Sequence, residues 1–136
     1  MAANSQEVTL VYKHLPLEQI HPEATPAALA SWAATKQGKF WEFHDALFQN
    51  QDKLGEAFYV ETAKRLNLNL EQFNRDRKSD AAKAAIKKDM NMAQKLGISG
   101  TPNFLLNGIE LSGAVPLQDL NQALNQAKQE LAKSAS

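Results

Sequence analysis

The dipeptide Asn107–Gly108 constrains this 136-residue chain more tightly than any other local feature. It separates the apolar runs "FLL" and "IEL". A two-residue Asn-Gly loop in that setting is the strongest short-range hairpin signal, because a type I′ turn needs positive φ at both central residues. Pro102, in "GISGTPNFLLNG", marks where the first strand of that hairpin opens. Proline cannot donate to a ladder, so it belongs on an edge, at a strand's first residue or at a bulge. The spacing therefore predicts a strand after Pro102, a tight turn, and a second strand over "IELSG".

Most of the chain before that hairpin has helical periodicity. "EVTLVYKHL" alternates and is rich in β-branched and aromatic residues, which predicts one further strand over Val8 to Tyr12. Pro16 and Pro22 bracket a loop, and the pattern is helical from there to Leu96. "TPAALASWAATKQG" is alanine-rich, with Gly38 as its stop. "KFWEFHDALFQN" spaces Phe40, Phe43, His44, Leu47 and Phe48 along one broad apolar face. "EAFYVETAKRLN" predicts a helix ending at Asn67, and Asn69 with Gln72 has the form of a capping box before Phe73. Ser79 and Gly97 bound the clearest helix, whose stripe is Ala82, Ile86, Met90, Ala93 and Leu96. Pro116 suits the first position of a closing helix, with Leu117, Leu120, Leu124, Ala127 and Leu131 expected to face inward. A strand, a block of helices, a hairpin and a closing helix make an α/β or α+β domain.

Composition removes several functional classes. Fifteen basic residues balance fifteen acidic ones, giving no electrostatic reason to expect nucleic acid or an anionic membrane surface as a partner. The basic run "RDRKSDAAKAAIKKD" is interleaved with Asp76, Asp80 and Asp89, as on a solvated helix surface. No apolar run approaches the roughly 18 residues needed to span a bilayer. The opening "MAANSQEV" has neither a basic nor an apolar region of an export signal. There are no cysteines, so the chain itself has no disulfide, thiolate nucleophile or thiolate metal site.

The residues that carry a resemblance are "VTLVYKHLPLEQIHPEATPAALASWAATKQGKFWEFHDALF" and "AQKLGISGTPNFLLNGIELSGAVP". In order and spacing they resemble the DsbA-like branch of the thioredoxin superfamily, over about Val8 to Leu131. The resemblance implies an α/β, thioredoxin-like fold with an inserted helical domain, N-terminally truncated, with about three strands and five or six helices. Residues 8–15 and 98–133 would form the thioredoxin-like core and residues 22–97 the helical insertion, within a single domain. The family consists of thiol–disulfide oxidoreductases acting on exported polypeptides, which implies a periplasmic or other extracytoplasmic setting. Pro102 matches the family's cis-proline. The resemblance thus makes Gly100, Thr101 and Pro102 a peptide-binding loop, with the Thr101 backbone available to an extended polypeptide.

The same family carries a Cys-x-x-Cys at the start of its first core helix, on a strand–helix unit preceding the segment that matches Val8–Tyr12. Only seven residues precede Val8 here, none of them cysteine. No catalytic residue is therefore expected in this chain, and it is redox-inactive as written. Three alternatives stay open at the vacant sheet position: the flanking strands close up, another chain supplies the strand, or the sequence is part of a longer protein. The resulting expectation is a cysteine-free DsbA-like family member. The alternative is a non-catalytic peptide-binding or chaperone-like module, completed by strand exchange or by a homodimer. A serine-using kappa-class glutathione transferase shares the architecture, but its catalytic helix would fall in the same missing segment.

Other residues invite a site and are weaker. His14, His21 and His44 lack metal-ligand spacing, and neither a metal nor a cofactor is expected. His44 reads as a packed residue on an aromatic face, and His21 as part of a helix entry. Trp32, Trp41, Phe40 and Phe43 read as core rather than as a peptide groove.

Overall fold

Alanine sets the centre of the helical part. The run from Ala24 to Thr35 forms helix α1, and Ala30, Ala33 and Ala34 on it have no exposed surface. Small side chains favour helix intrinsically and let neighbouring helices approach closely. The computed structural model describes residues 6–135, in two compact units whose boundary falls between Met92 and Ala93. In the first unit, α2 (Phe40–Gln49), α3 (Glu56–Arg65) and α4 (Leu70–Arg77) pack against α1; α5 (Asp80–Lys95) belongs to it as far as Met92.

Phe43, Tyr59, Ala63, Leu68 and Phe73 join the α1 alanines in one core, with Leu47, Leu54, Phe58 and Leu66 packed around it. The Phe43 and Phe73 rings lie 5.6 Å apart, a distance at which aromatic pairs attract beyond simple burial. Full burial of such a side chain contributes about 1.5–3 kcal/mol. Two polar anchors close the core. The Tyr59 hydroxyl donates to Glu23 at 2.7 Å, and burial together with that carboxylate pushes the phenol upward from its ordinary value. The buried Arg77 guanidinium donates to both Glu56 oxygens and to Asn74.

Helix ends follow the local chemistry. Ser79 Oγ accepts from the Ala82 N–H, capping α5. Its far end closes in a Schellman motif, with Ile98 N–H on the Ala93 carbonyl, Gly97 N–H on the Gln94 carbonyl, and Gly97 at φ +71°. Asn67 does the same after α3 at φ 56°, where asparagine is among the few side-chain residues that tolerate left-handed backbone. Asn69 caps α4 by accepting from Gln72 N–H at 2.8 Å. The reciprocal half of the expected capping box is replaced: Gln37 Oε1 accepts the Asn69 N–H, while the Gln72 side chain donates to Asp76.

In the second unit, β1 (Asn103–Leu106) pairs antiparallel with β2 (Ile109–Ser112), Leu106 opposite Ile109. The two-residue loop has φ 49° at Asn107 and φ 90° at Gly108, the positive pair a type I′ turn requires. Helix α6 (Leu117–Ser134) packs against β1. Its buried residues are Ala123 and Ala127, whereas Leu117 is 72% and Leu131 59% exposed. The expectation that both leucines face inward is therefore wrong. The strands are four residues long, about 13 Å, against about 27 Å for the 18-residue helix, so they cannot cover its whole length.

The expected strand over Val8–Tyr12 is also corrected. Among the described residues the sheet has two strands, not three, and Val8 to Tyr12 make no ladder. β-branched sequence favours a pleated conformation, but a strand exists only where a second backbone accepts its hydrogen bonds. The last residue of the segment, Tyr12, is held by ring contacts instead, while Leu10 and Val11 are exposed.

Candidate functional site

Counting outward from the turn shows which backbone groups of the hairpin are used. In a two-residue hairpin the flanking residues, Leu106 and Ile109, exchange both bonds, and hydrogen-bonded pairs alternate from there. Phe104 therefore bonds Leu111, while the N–H and C=O of Asn103 and Leu105 point away from β2. Gly113 N–H donates to the Pro102 carbonyl at 2.9 Å, which continues the inward parity to Pro102. This explains the proline at the strand mouth. Its missing donor falls at the last inward position, where a single ladder bond is forgone.

Gly100, Thr101 and Pro102 are all exposed, and the Thr101–Pro102 peptide bond is cis. Among the described residues, the Thr101 backbone makes no hydrogen bond. The three loop residues thus lead directly into an open strand edge running through Asn103 to Leu105. Leu105 is 52% exposed, while Asn103 reaches across to Glu110, Nδ2 to Oε1 at 2.8 Å. The Asn103 Oδ1 atom is buried and has no partner among the described residues, so an acceptor beside this edge is unsatisfied.

A second cluster lies in the first unit. Tyr12 touches His14, Phe40, Trp41 and His44, with ring centroids 5.1–6.3 Å apart, and His44 also packs on Phe48 at 4.7 Å. The single apolar face expected for α2 is therefore split. Phe43 and Leu47 pack into the core, while Phe40 and His44 meet Tyr12, joined by Trp41, and Phe48 lies against His44. Asp89 on α5 secures the same segment, accepting from Lys13 Nζ at 3.2 Å and from the His14 backbone N–H at 3.0 Å. Burial pushes the His14 imidazole below its ordinary value and the Tyr12 phenol above its own. Trp32 stands apart, with the Lys36 ammonium over its ring at 4.5 Å. His21 contributes its carbonyl to the entry of α1, accepting from Ala24 N–H. Among the described residues no three histidine or acidic side chains converge as metal ligands, and no helix is long and apolar enough to cross a membrane.

The outward parity of Asn103 and Leu105 was within reach of the sequence, by counting back from Asn107–Gly108. The clamp of Asp89 on residues 13 and 14 was not, because 75 residues separate the partners.

An alanine-centred helical unit and a β-hairpin packed on a closing helix are together the parts of a thioredoxin-like protein. The chain belongs to the DSBA-like thioredoxin domain family, whose profile matches residues 21–125. It is 34% identical to a thioredoxin-like oxidoreductase from Silicibacter pomeroyi DSS-3, with a TM-score of 0.79 over 88% of this chain and 68% of that one. It is also 38% identical over 120 residues to Na(+)/H(+) antiporter NhaA 3 of Salinispora tropica, and 37% identical to Na(+)/H(+) antiporter NhaA 1 of Salinispora arenicola. Those alignments take in 88% of this chain but 18% of each antiporter, so the chain spans about a fifth of the length of these relatives. The fold is thioredoxin-like, with six α-helices and a small antiparallel sheet among the described residues.

Proposed function

We propose that this chain binds extended polypeptides by strand addition along the open edge of β1, with Gly100, Thr101 and Pro102 forming the entrance. The observation that carries the reading is the shared parity of Asn103 and Leu105, next to a Thr101 backbone that makes no hydrogen bond among the described residues. The backbone donors and acceptors of Asn103 and Leu105 face away from β2, in the alternating pattern an incoming strand needs. The unsatisfied Asn103 Oδ1 adds a side-chain acceptor beside them. The chain has no cysteine, so it performs no thiol–disulfide exchange with residues of its own. Its role within an oxidoreductase family is then to hold a polypeptide, as a peptide-binding or chaperone-like module. The same edge suits a strand donated by another chain or by a second copy.

Fluorescence anisotropy with a labelled extended peptide tests this reading, using two proline variants. Leu105→Pro removes an N–H on the open edge without removing a β1–β2 bond. Ser112→Pro does the same on the opposite edge, since Ser112 shares the outward parity on β2. Binding is expected to be lost in the first and retained in the second. Equal binding by both variants, or equal loss in both, refutes the edge as the site.

A further inference from the structure

We propose that residues 10–14 form a pH-operated latch, docked on α2 and α5 while His14 is neutral and loosened when His14 takes up a proton. The segment has no secondary structure of its own, and its hold on the first unit is concentrated in two places. The first is the Tyr12 ring among Phe40, Trp41 and His44. The second is the Asp89 carboxylate, one oxygen on Lys13 Nζ and the other on the His14 backbone N–H. His14 lies between them, its ring 5.2 Å from Tyr12 and 6.1 Å from Phe40.

The charged and titratable groups facing His14 set the sign. Burial against the aromatic rings acts most strongly and disfavours the imidazolium. Asp89, from α5, opposes it, whereas His44, from α2, and Lys13, within the segment, act in the same direction as burial. Tyr12 beside it has its phenol pushed upward and stays uncharged. The net result is a docked-state value below 6.5. Docking is therefore at full strength above the free imidazole's value, weakens as pH falls below it, and reaches its weaker limit once pH has passed the docked-state value. What the latch holds down is the β-prone run Val8–Tyr12, which makes no ladder among the described residues and exposes Leu10 and Val11. Loosening it at mildly acid pH frees a segment whose sequence is suited to strand pairing.

The residue-14 amide reports the latch directly, because its N–H is held by Asp89. Its hydrogen-exchange protection factor, corrected for intrinsic pH dependence, is measured from pH 8 to pH 5 alongside Trp41 emission in a Trp32→Phe background. Protection at residue 14 is expected to fall several-fold on acidification, with amides of the Phe43–Phe73 core unchanged. His14→Gln is expected to flatten the profile. Asp89→Asn, which keeps an acceptor but removes the charge favouring imidazolium, lowers the docked-state value further, so the loss of protection is expected to start at the same pH but to become larger and run on to lower pH. His44 packs on the Trp41 ring at 5.4 Å, so Trp41 emission responds to its surroundings on α2 as well as to the segment. A fluorescence change with flat protection at residue 14 therefore overturns the proposal, as does a transition that survives His14→Gln unaltered.

Discussion

Replacing Phe43 by alanine tests the account of the core, because Phe48 on the same helix supplies an internal control. Phe43 has no exposed surface, packs on the Phe73 ring at 5.6 Å, and belongs to the cluster built on Ala30, Ala33 and Ala34. Truncating a fully buried phenylalanine loses its transfer free energy and leaves a cavity, for a cost of about 3–5 kcal/mol. The backbones of α1 and its neighbours are already in close contact through alanine, so the walls have little side chain with which to collapse inward. The upper part of that range is therefore expected. Phe48 is 57% exposed and touches His44, so Phe48→Ala is expected to cost about 1 kcal/mol or less. Urea unfolding followed by far-UV circular dichroism reads the difference. With a slope of about 1–3 kcal/mol/M, Phe43→Ala lowers the midpoint by about 1 M or more, at least about three times the shift from Phe48→Ala at the same slope. Equal costs for the two variants refute the assignment of Phe43 to the core and Phe48 to the surface cluster.

Two further outcomes follow from polar contacts. Asn69→Ala removes the oxygen that accepts Gln72 N–H, and is expected to cost about 1 kcal/mol by the same urea assay, whereas Asn69→Gly costs only a few tenths. Glu56 sits opposite the buried Arg77, whose hydrogen bond holds its carboxyl below the ordinary 4.5. A carboxylate depressed in the folded state binds fewer protons than in the unfolded chain. Its stabilisation is thus present above pH 4.5 and is lost as pH falls through the depressed value. Because Glu56 is largely exposed, solvent screening keeps the effect modest. Glu56→Gln is expected to lower stability at pH 7 and to narrow the gap between pH 7 and pH 3. A gap unchanged from the parent protein counts against the Arg77 pairing.

The ends of elements were legible from a few residues each, as Ser79, Asn67, Gly97 and Asn107–Gly108 show, because the physics deciding them is local. A cap needs a side-chain oxygen within one turn, and a left-handed position needs glycine or asparagine, wherever the rest of the chain lies. Faces were less legible. The spacing of Phe40, Phe43, His44, Leu47 and Phe48 marks one stripe, but α1 and α4 cover only part of it and the segment around Tyr12 meets the remainder. Leu117 and Leu131 fit the α6 stripe and stay exposed, at the two ends of a helix longer than the four-residue strands can cover.

The edge of β1 stands between these cases. Its parity follows from the turn alone, whereas its being open depends on no other strand arriving beside it. By itself the sequence determined the helices, the hairpin register, the proline at the strand mouth and the absence of any thiol chemistry within the chain. Each depends on covalent structure or on neighbours a few residues away. Only the tertiary structure decided that Val8–Tyr12 has no ladder among the described residues, that Gln37 completes the Asn69 cap, and that Asp89 clamps residues 13 and 14. Each of these needs a partner from a distant part of the chain, and a distant partner leaves no periodic trace in the segment it meets.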